Sequence, residues 1–466
     1  MINAAGPCDA TGAVLIGASG PTVCVCECWE GVRRRCGDEG PVTRCTKCRR
    51  AHYCGPDCLA EDCEDHSAQC VQLAKAYASD KTHVAETKCT KGSLKESQRQ
   101  LEKVLEVQRG QQGCEGAGDP ELALSLVNVG TVLTEQGRYE EARVKLLEGL
   151  EMSRRLKQHL LTARAIMKVG FVLFLQGKHD LAMRQYTEAL AIQLKFLEPD
   201  HLDIVDTLHN IAQVHERQRR YPEALKMFQK VLRMQMERLG DDHPKLATTL
   251  HDIALVHLEQ NRHPEAHECL ISALRINKKE YGDTHPKVAQ TLNSLAVACQ
   301  REGRVQEAME CLEESLRICR ARLGGSHPQV ARVISNMSTL HCLQGQAEEA
   351  VEGFEEVLRI TKTVHGEAHP EVGRAHTNIG KALTLEERYE EAHKHFDEAL
   401  RITCDCVGEG SLEAASVKYD MACLFMGVGQ DEEAKKLFQA SAQVYACVLG
   451  PEHRATRSSL RACGDA

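Results

Sequence analysis

The residues of this chain with the clearest chemical potential are cysteines and one histidine near the N-terminus. Six of them follow the spacing Cys45-x2-Cys48-x5-Cys54-x3-Cys58-x7-His66-x3-Cys70. Thiolates two or three residues apart can close on one tetrahedral Zn²⁺, and His66 and Cys70 present two ligands on one face of a helix. The spacing therefore predicts a zinc-binding module.

Two other interpretations of these cysteines, a disulfide framework and a redox pair, are alternatives to a zinc site. Of the 23 cysteines, 12 fall in the first 90 residues, a density that a disulfide framework could also produce. Residues 1–23 are rich in Ala and Gly and have no positive n-region, so we expect a disordered leader and no secretory signal. A redox role for Cys45 and Cys48 would require a strand–helix context and a single activated pair. Zinc is the favoured interpretation.

A second set of residues that could do chemistry is a column of short polar side chains. Five of them are spaced 42 residues apart, and a sixth, Asn128, lies near the equivalent place upstream: Asn210, Asp252, Ser294, Asn336 and Asn378. Amides in a groove can donate to and accept from the backbone of an extended peptide. We predict peptide binding at Asn128, Asn210, Asn336 and Asn378. The alternative is a set of solvated polar residues, and Lys168 interrupts the column.

The elements that position this column repeat at the same interval. Four His-Pro pairs occur at steps of 42 residues, at His243, His285, His327 and His369, with His201 and His453 in phase. A small-residue column keeps the same step: Ala224, Ala266, Ala308, Ala350, Ala392 and Ala434. A period of this length predicts stacked supersecondary units. A small side chain lets neighbouring helices approach closely, and leucine there would overpack the contact.

Each unit reads as a pair of amphipathic helices. Between Pro286 and His327, apolar residues recur at helical spacing on both sides of a break at Gly303. Proline suits the first position of a helix, so we interpret the preceding histidines as helix-start residues and not as metal ligands. Eight units are predicted, starting near Asp119, Leu160, Leu202, Pro244, Pro286, Pro328, Pro370 and Leu412.

This pattern resembles the tetratricopeptide repeat in its 42-residue form, which is typical of kinesin light chains. The matching segments are His243 to Leu250, Tyr389 to Ala392 and Ala399 to Ile402. The resemblance implies an all-α fold, a right-handed superhelical α-solenoid of antiparallel helix pairs. It also implies binding of protein segments, in which asparagines on the first helices hold the peptide.

The N-terminal spacing resembles the MYND zinc finger, through Tyr53-Cys54, the Cys-x3-Cys step and the closing His-x3-Cys. That resemblance implies two interleaved zinc ions. One is held by Cys45, Cys48, His66 and Cys70, and the other by Cys54 and Cys58 with an upstream pair. The usual upstream Cys-x2-Cys is missing here, so Cys28 with Cys36 is favoured over Cys24 with Cys28. Cys63 replaces a tryptophan of the family, which weakens the expectation of a peptide groove on the finger.

These patterns predict the domain organisation. We expect a leader at 1–23, a zinc finger at 24–70, a connector at 71–118, a repeat array at 119–453 and a cap or tail at 454–466. In the connector, Gly92 and Ser97 precede their counterparts Gly137 and Ala142 by 45 residues, which favours a degenerate repeat. A short coiled coil is the alternative, although Leu94, Leu101 and Leu105 support barely two heptads.

Composition excludes several classes of partner. The formal net charge of -9 opposes the broad basic surface of a nucleic-acid binder. A basic cluster near Arg33 is followed closely by the acidic residues Glu61 and Asp62, which favours a mixed solvated surface. No apolar run approaches the roughly 20 residues that cross a bilayer. We therefore expect protein or peptide partners, with no nucleic acid, membrane or small-molecule substrate.

The remaining choice is between an enzyme and an adaptor. Lysine methyltransferases that combine a SET domain, a MYND finger and a repeat array are the nearest enzyme resemblance, but 23 residues before the first ligand leave no room for the SET strands. No phosphate-binding Gly loop or nucleophile elbow is present. We predict a non-enzymatic scaffold of the reducing cell interior, cytoplasmic or alternatively nuclear. Alternatives are a methyltransferase relative without its catalytic domain and a kinesin-light-chain-like cargo adaptor.

Overall fold

The computed structural model describes residues 94–111 and 120–465, together with four two-residue strands nearer the N-terminus. Strand β1 (Ala13–Val14) pairs antiparallel with β2 (Val25–Cys26). Strand β3 (Thr43–Arg44) pairs antiparallel with β4 (His52–Tyr53). All eight predicted zinc ligands lie outside the described residues.

The rest of the described chain is helical. The helices are α1 (Leu94–Gln111), α2 (Pro120–Glu135), α3 (Tyr139–Arg155), α4 (His159–Leu175), α5 (His179–Phe196), α6 (Leu202–Arg217), α7 (Tyr221–Leu239), α8 (Pro244–Glu259), α9 (His263–Tyr281), α10 (Pro286–Arg301), α11 (Val305–Leu323), α12 (Pro328–Leu343), α13 (Ala347–His365), α14 (Pro370–Leu385), α15 (Tyr389–Val407), α16 (Leu412–Val428), α17 (Asp431–Leu449) and α18 (Arg454–Asp465). None of these helices is long and apolar enough to cross a bilayer.

The predicted division into helix pairs is confirmed. The unit read from Pro286 to His327 contains α10 and α11, and the chain turns between them at Gly303, which has a φ of 79°. A φ in this range is readily adopted by glycine, which has no Cβ. The chain divides into two compact units, Met1–Met227 and Phe228–Ala466, with the boundary inside α7.

The recurring histidines are helix N-caps. At each in-phase position, Nδ1 accepts a hydrogen bond of 3.1 or 3.2 Å from the backbone N–H two residues on: His201, His243, His285, His327, His369 and His453. This bond satisfies one of the N–H groups that the first turn leaves unpaired. Proline follows four of the caps at the first position of the helix. The interpretation as helix-start residues is confirmed.

The alanine column lies at the most crowded contacts. Its members have no accessible surface: Ala224, Ala266, Ala308, Ala350, Ala392 and Ala434. In unit 2, Ala350 and Ala392 belong to one core cluster with Phe396 and Ile379. The ring of Phe396 comes so close to α14 that a Cβ added at Gly380 would lie 2.9 Å from ring carbons. Small residues therefore set how closely successive helices approach.

Unit 1 has a comparable core. Leu101 and Leu105 of α1 pack with Leu122 and Leu126 of α2 and with Leu146 of α3, all of them buried. Helix α1 therefore covers the apolar face of the first helix pair. At the other end of the chain, in unit 2, α18 packs against α17. Both elements shield apolar residues that a terminal repeat would otherwise expose.

Candidate peptide-binding groove

Unit 2 contains an open groove of about 1050 Å³. Its lining residues all fall between positions 328 and 417, on five consecutive helices. Residues of α12, α14 and α16, with His369 just before α14, contribute one part of the surface, and the C-terminal halves of α13 and α15 contribute the rest. A volume of this size is at the upper end of the range that small-molecule sites occupy, and an open groove suits an extended chain.

Two of the four predicted peptide-binding asparagines line this groove. They are Asn336 on α12 and Asn378 on α14, and both are half-buried. Asn128 and Asn210 are also half-buried, on α2 and α6 of unit 1. The structure thus brings Asn336 and Asn378 to one surface.

The side-chain amides of the two groove asparagines differ in whether they are hydrogen-bonded within the protein. Asn336 donates from Nδ2 to Oδ1 of Asn293 at 2.9 Å, and Asn293 is buried. Asn378 makes no side-chain hydrogen bond within the described part of the chain. Its amide therefore keeps two donors and an acceptor available at the groove surface.

The middle members of the polar column are occupied by contacts within the protein. Ser294 Oγ lies 2.9 Å from Nε2 of His251. Asp252 is only 9% exposed, and its Oδ1 lies 3.8 Å from Nδ1 of the same histidine. The Ser294 contact joins two neighbouring first helices, α8 and α10, whereas Asp252 contacts its neighbour on α8. The regular spacing of the column therefore does not give its members one role.

The floor of the groove is apolar. Val357 and Ile360 of α13 line it together with Ala375 and Val417, and all four are buried. Three threonines also line the groove, but each donates its hydroxyl to a carbonyl of its own helix: Thr361 to Val357 and Leu358, Thr377 to Gly373, and Thr403 to Ala399. Their hydroxyl donors are therefore used, and the groove floor favours an apolar side chain.

The rim of the groove is charged, and its two ends differ in sign. Near α12, Arg332 is exposed and forms no ion pair among the described residues. In the middle, Arg374 bonds Glu371 and Lys381 Nζ lies 2.8 Å from Asp420 Oδ2. Near α16, exposed Glu413 has no ion-pair partner in the same part of the chain. The unneutralised charges are thus positive at the α12 end and negative at the α16 end.

Comparison with known families identifies the repeats. The tetratricopeptide repeat profile matches six overlapping segments, 121–195, 161–237, 203–279, 268–321, 287–352 and 329–405. Together they cover more than half of the chain. The chain belongs to the tetratricopeptide repeat family. No curated protein matches it.

Solved structures with similar tetratricopeptide-type helices share little sequence with this chain. The apo quorum sensor NprR from B. thuringiensis is 15% identical, with a TM-score of 0.57 over 74% of this chain and 93% of its own. Apo RapI is 12% identical, with a TM-score of 0.51 over 74% and 97%. A putative kinesin light chain from Podosopora anserina is 24% identical, with a TM-score of 0.39 over 44% and 97%. The likenesses to NprR and RapI concern the fold alone.

A buried histidine pair joins the two helices of the repeat that forms the middle of the groove. Nδ1 of His376 on α14 lies 3.0 Å from Nδ1 of His395 on α15, and His376 is 8% exposed. Burial, with a smaller contribution from His395, lowers the pKa of His376 to about 4. Burial also lowers the pKa of His395. A proton can bridge the two nitrogens while both rings stay neutral.

The predicted metal chemistry lies outside the described residues. Within residues 94–111 and 120–465, no three His, Cys, Asp or Glu side chains are grouped so as to hold a metal ion. The floor residues of the groove were not among the residues predicted from sequence. The available signal was a change in residue type at two positions of the 42-residue repeat, Thr361 and Ala375, where three earlier repeats carry a carboxamide and a threonine.

Proposed function

We propose that this protein is a non-enzymatic interaction scaffold that binds an extended peptide segment of a partner in the groove between positions 328 and 417. The observation that carries the proposal is the free, half-buried amide of Asn378 above an apolar floor. Membership of the tetratricopeptide repeat family supports a protein-binding role.

The groove offers the two kinds of contact that hold an extended peptide. Asn378 can donate to one backbone carbonyl and accept from one backbone N–H, which fixes the chain without reading its sequence. The remaining lone pairs of Asn336 can accept from a second residue of the peptide. The apolar floor beneath them receives side chains, and this contact supplies the hydrophobic part of the binding free energy.

We expect Asn378→Ala to weaken peptide binding about threefold to tenfold, the value of one or two net hydrogen bonds. The probe is a linear peptide enriched by the full-length protein from a phage-displayed random library and then titrated by calorimetry. Gln439→Ala removes an exposed amide on α17, away from the groove lining, and serves as the matched control. Equal affinities for Asn378→Ala and the wild type would contradict the proposal.

Asn336 is a less clean test than Asn378. Truncating Asn336 also leaves the buried amide of Asn293 without a partner, and that loss costs about 1–3 kcal/mol of stability. A double alanine variant therefore combines a binding effect with a folding effect. The sequence alone predicts that both truncations leave thermal stability unchanged. Because Asn336 is bonded to Asn293, we now expect this only of Asn378→Ala.

We also propose a zinc-binding finger at 24–70 as a second interaction module, supported by the Cys and His spacing in the sequence. Cys45, Cys48, His66 and Cys70 would hold one ion, and Cys54 and Cys58 with Cys28 and Cys36 would hold the other. Metal analysis of the purified chain should return two zinc ions per molecule. One ion would mean that the upstream pair is not a ligand set, and none would remove the proposal.

A zinc site with thiolate ligands is favoured in a reducing compartment, where cysteines do not form disulfides. We therefore propose the cytoplasm as the place of action, with the nucleus as the alternative. The finer resemblances, to a kinesin-light-chain-like cargo adaptor or to a methyltransferase relative without its catalytic domain, would give the same groove different partners.

A further inference from the structure

A buried polar pair recurs at the junction between successive repeats. Each pair joins a carboxamide in the second half of a second helix to a threonine 14 residues later on the next first helix: Gln193 with Thr207 at 2.7 Å, Gln235 with Thr249 at 2.8 Å, and Asn277 with Thr291 at 3.0 Å. All six side chains are buried. The pairs follow the 42-residue period, and within each unit of the chain they fill the space beside the helix junction.

The pair is missing at the two equivalent junctions that line the groove. There the carboxamide is replaced by Thr361 and Thr403, and the threonine is replaced by Ala375 and Val417. Both threonine hydroxyls turn back to carbonyls of their own helices. None of the six residues of the polar pairs lines the groove.

One further junction separates the two groups. Cys319 and Val333 occupy it, are each 1% exposed and lie outside the groove lining. This junction is closed by apolar contact, without a hydrogen bond between the two positions. The groove therefore covers two junctions that lack the polar pair, Thr361 with Ala375 and Thr403 with Val417, whereas the Cys319–Val333 junction also lacks the pair but lies outside the groove lining.

We infer that a junction must lack the bonded pair to accept a ligand, and that Thr361 and Ala375 form the subsite for a bulky apolar side chain of the bound peptide. The inference rests on the proposed function and specifies it. Filling the positions with a bonded pair occupies the floor and links the two helices, whereas short side chains leave room beside Val357 and Ile360. The subsite offers methyl groups and carries no free hydroxyl donor.

Charge defines the rest of the occupant. Unpaired Arg332 at the α12 end favours an acidic residue of the peptide, and Glu413 at the α16 end favours a basic one. The partner segment is therefore an extended peptide with an apolar anchor between an acidic and a basic residue. Because the two ends carry opposite charge, they also set the direction in which the peptide lies.

The test restores the polar pair within the groove. The double variant Thr361→Asn/Ala375→Thr copies Asn277 and Thr291, and we expect it to bind the library-selected peptides at least about tenfold more weakly than the wild type. Replacing the apolar anchor of the peptide by alanine should weaken binding to the wild type but have little further effect on this variant. The double variant Thr403→Asn/Val417→Thr tests the second junction in the same way. It replaces the first variant in the experiment if the first variant does not fold.

The matched control removes the polar pair from a junction outside the groove. Asn277→Thr/Thr291→Ala removes a pair and should leave the affinity for the same peptides unchanged. Full affinity of the two filled variants, with weakened binding by Asn378→Ala, would overturn this inference and leave the proposed function standing. Failure of the library to yield any peptide would contradict the proposed function itself, and the inference would fall with it.

Discussion

Lowering the pH from about 7 to about 5 should reduce the free energy of unfolding of unit 2 by about 2 kcal/mol through His376 alone. The pKa of this side chain is about 4 in the folded protein, because burial disfavours the charged ring, and about 6.5 when unfolded. A depressed folded pKa means that the stabilisation is complete above pH 6.5. It is lost progressively as the pH falls from 6.5 towards 4.

The charges around His376 do not reverse this expectation. His395 and Lys362 also lower the pKa of His376, while Glu398 and Glu367 oppose them with smaller effects. The carboxylates do not act in one direction: Arg401 holds the pKa of Glu398 below its usual value, whereas burial raises the pKa of Asp420 on α16 against the opposing effect of Lys381. The contribution of His376 is therefore isolated by comparing the wild type with a variant that lacks this histidine.

The histidine caps add to the same effect. Nδ1 of each cap accepts a backbone hydrogen bond and must be unprotonated to do so. Burial lowers the pKa of His285, His327 and His369, which again places the loss of stability below pH 6.5. An N-cap contributes about 1 kcal/mol, so several caps lost together weaken many repeats at once.

Denaturant titrations of wild type and His376→Asn at both pH values measure this prediction. The variant should lose about 2 kcal/mol less than the wild type on acidification, and the part that remains includes the caps and His395, whose pKa is also lowered by burial. Identical pH dependence of the two proteins would show that His376 is not buried as described. Ser411, which caps α16 in place of a histidine, provides a cap that does not titrate.

Phe396→Ala should destabilise unit 2 by about 3–5 kcal/mol, the usual cost of removing a buried aromatic side chain from a core. Phe396 is 1% exposed, belongs to the cluster of Ala350, Ile379 and Ala392, and covers Gly380. Removing the ring leaves a cavity between α14 and α15, the helices that carry the middle of the groove. Gly380 has no side chain and therefore cannot fill that space.

Leu385→Ala is the control for Phe396→Ala. Leu385 is a large apolar residue of the same repeat but is 59% exposed, so we expect a change within about 0.5 kcal/mol. Guanidinium unfolding followed by circular dichroism compares the two, with attention to separate transitions because repeat arrays can unfold in parts. A loss below about 1 kcal/mol for Phe396→Ala would contradict the described core.

The sequence suffices to predict the helix pairs, because their signals are local and repeated. A helix cap such as His285 and a turn glycine such as Gly303 each act within a few residues of their position, and a small contact residue such as Ala308 recurs at the same place in successive units. Repetition at 42 residues then makes each assignment independent of any single residue. The histidines could be separated from metal ligands because one ion cannot be shared by residues a whole repeat apart.

The groove could not be predicted in the same way, because it depends on space between helices. Thr361 and Ala375 face one junction from different helices, and only the structure shows that their short side chains line a groove. The asparagine column illustrates the same limit. Asn336 and Asn378 follow one period, yet one is bonded to Asn293 and the other is free.

A crystal structure of the full-length protein bound to a library-selected peptide tests the central claim most directly. It should show an extended backbone along α12, α14 and α16, with the Asn378 amide within hydrogen-bonding distance of peptide backbone atoms. An apolar side chain of the peptide should rest on Ala375 and Ile360. A peptide bound on another surface, with Asn378 free, would contradict the account.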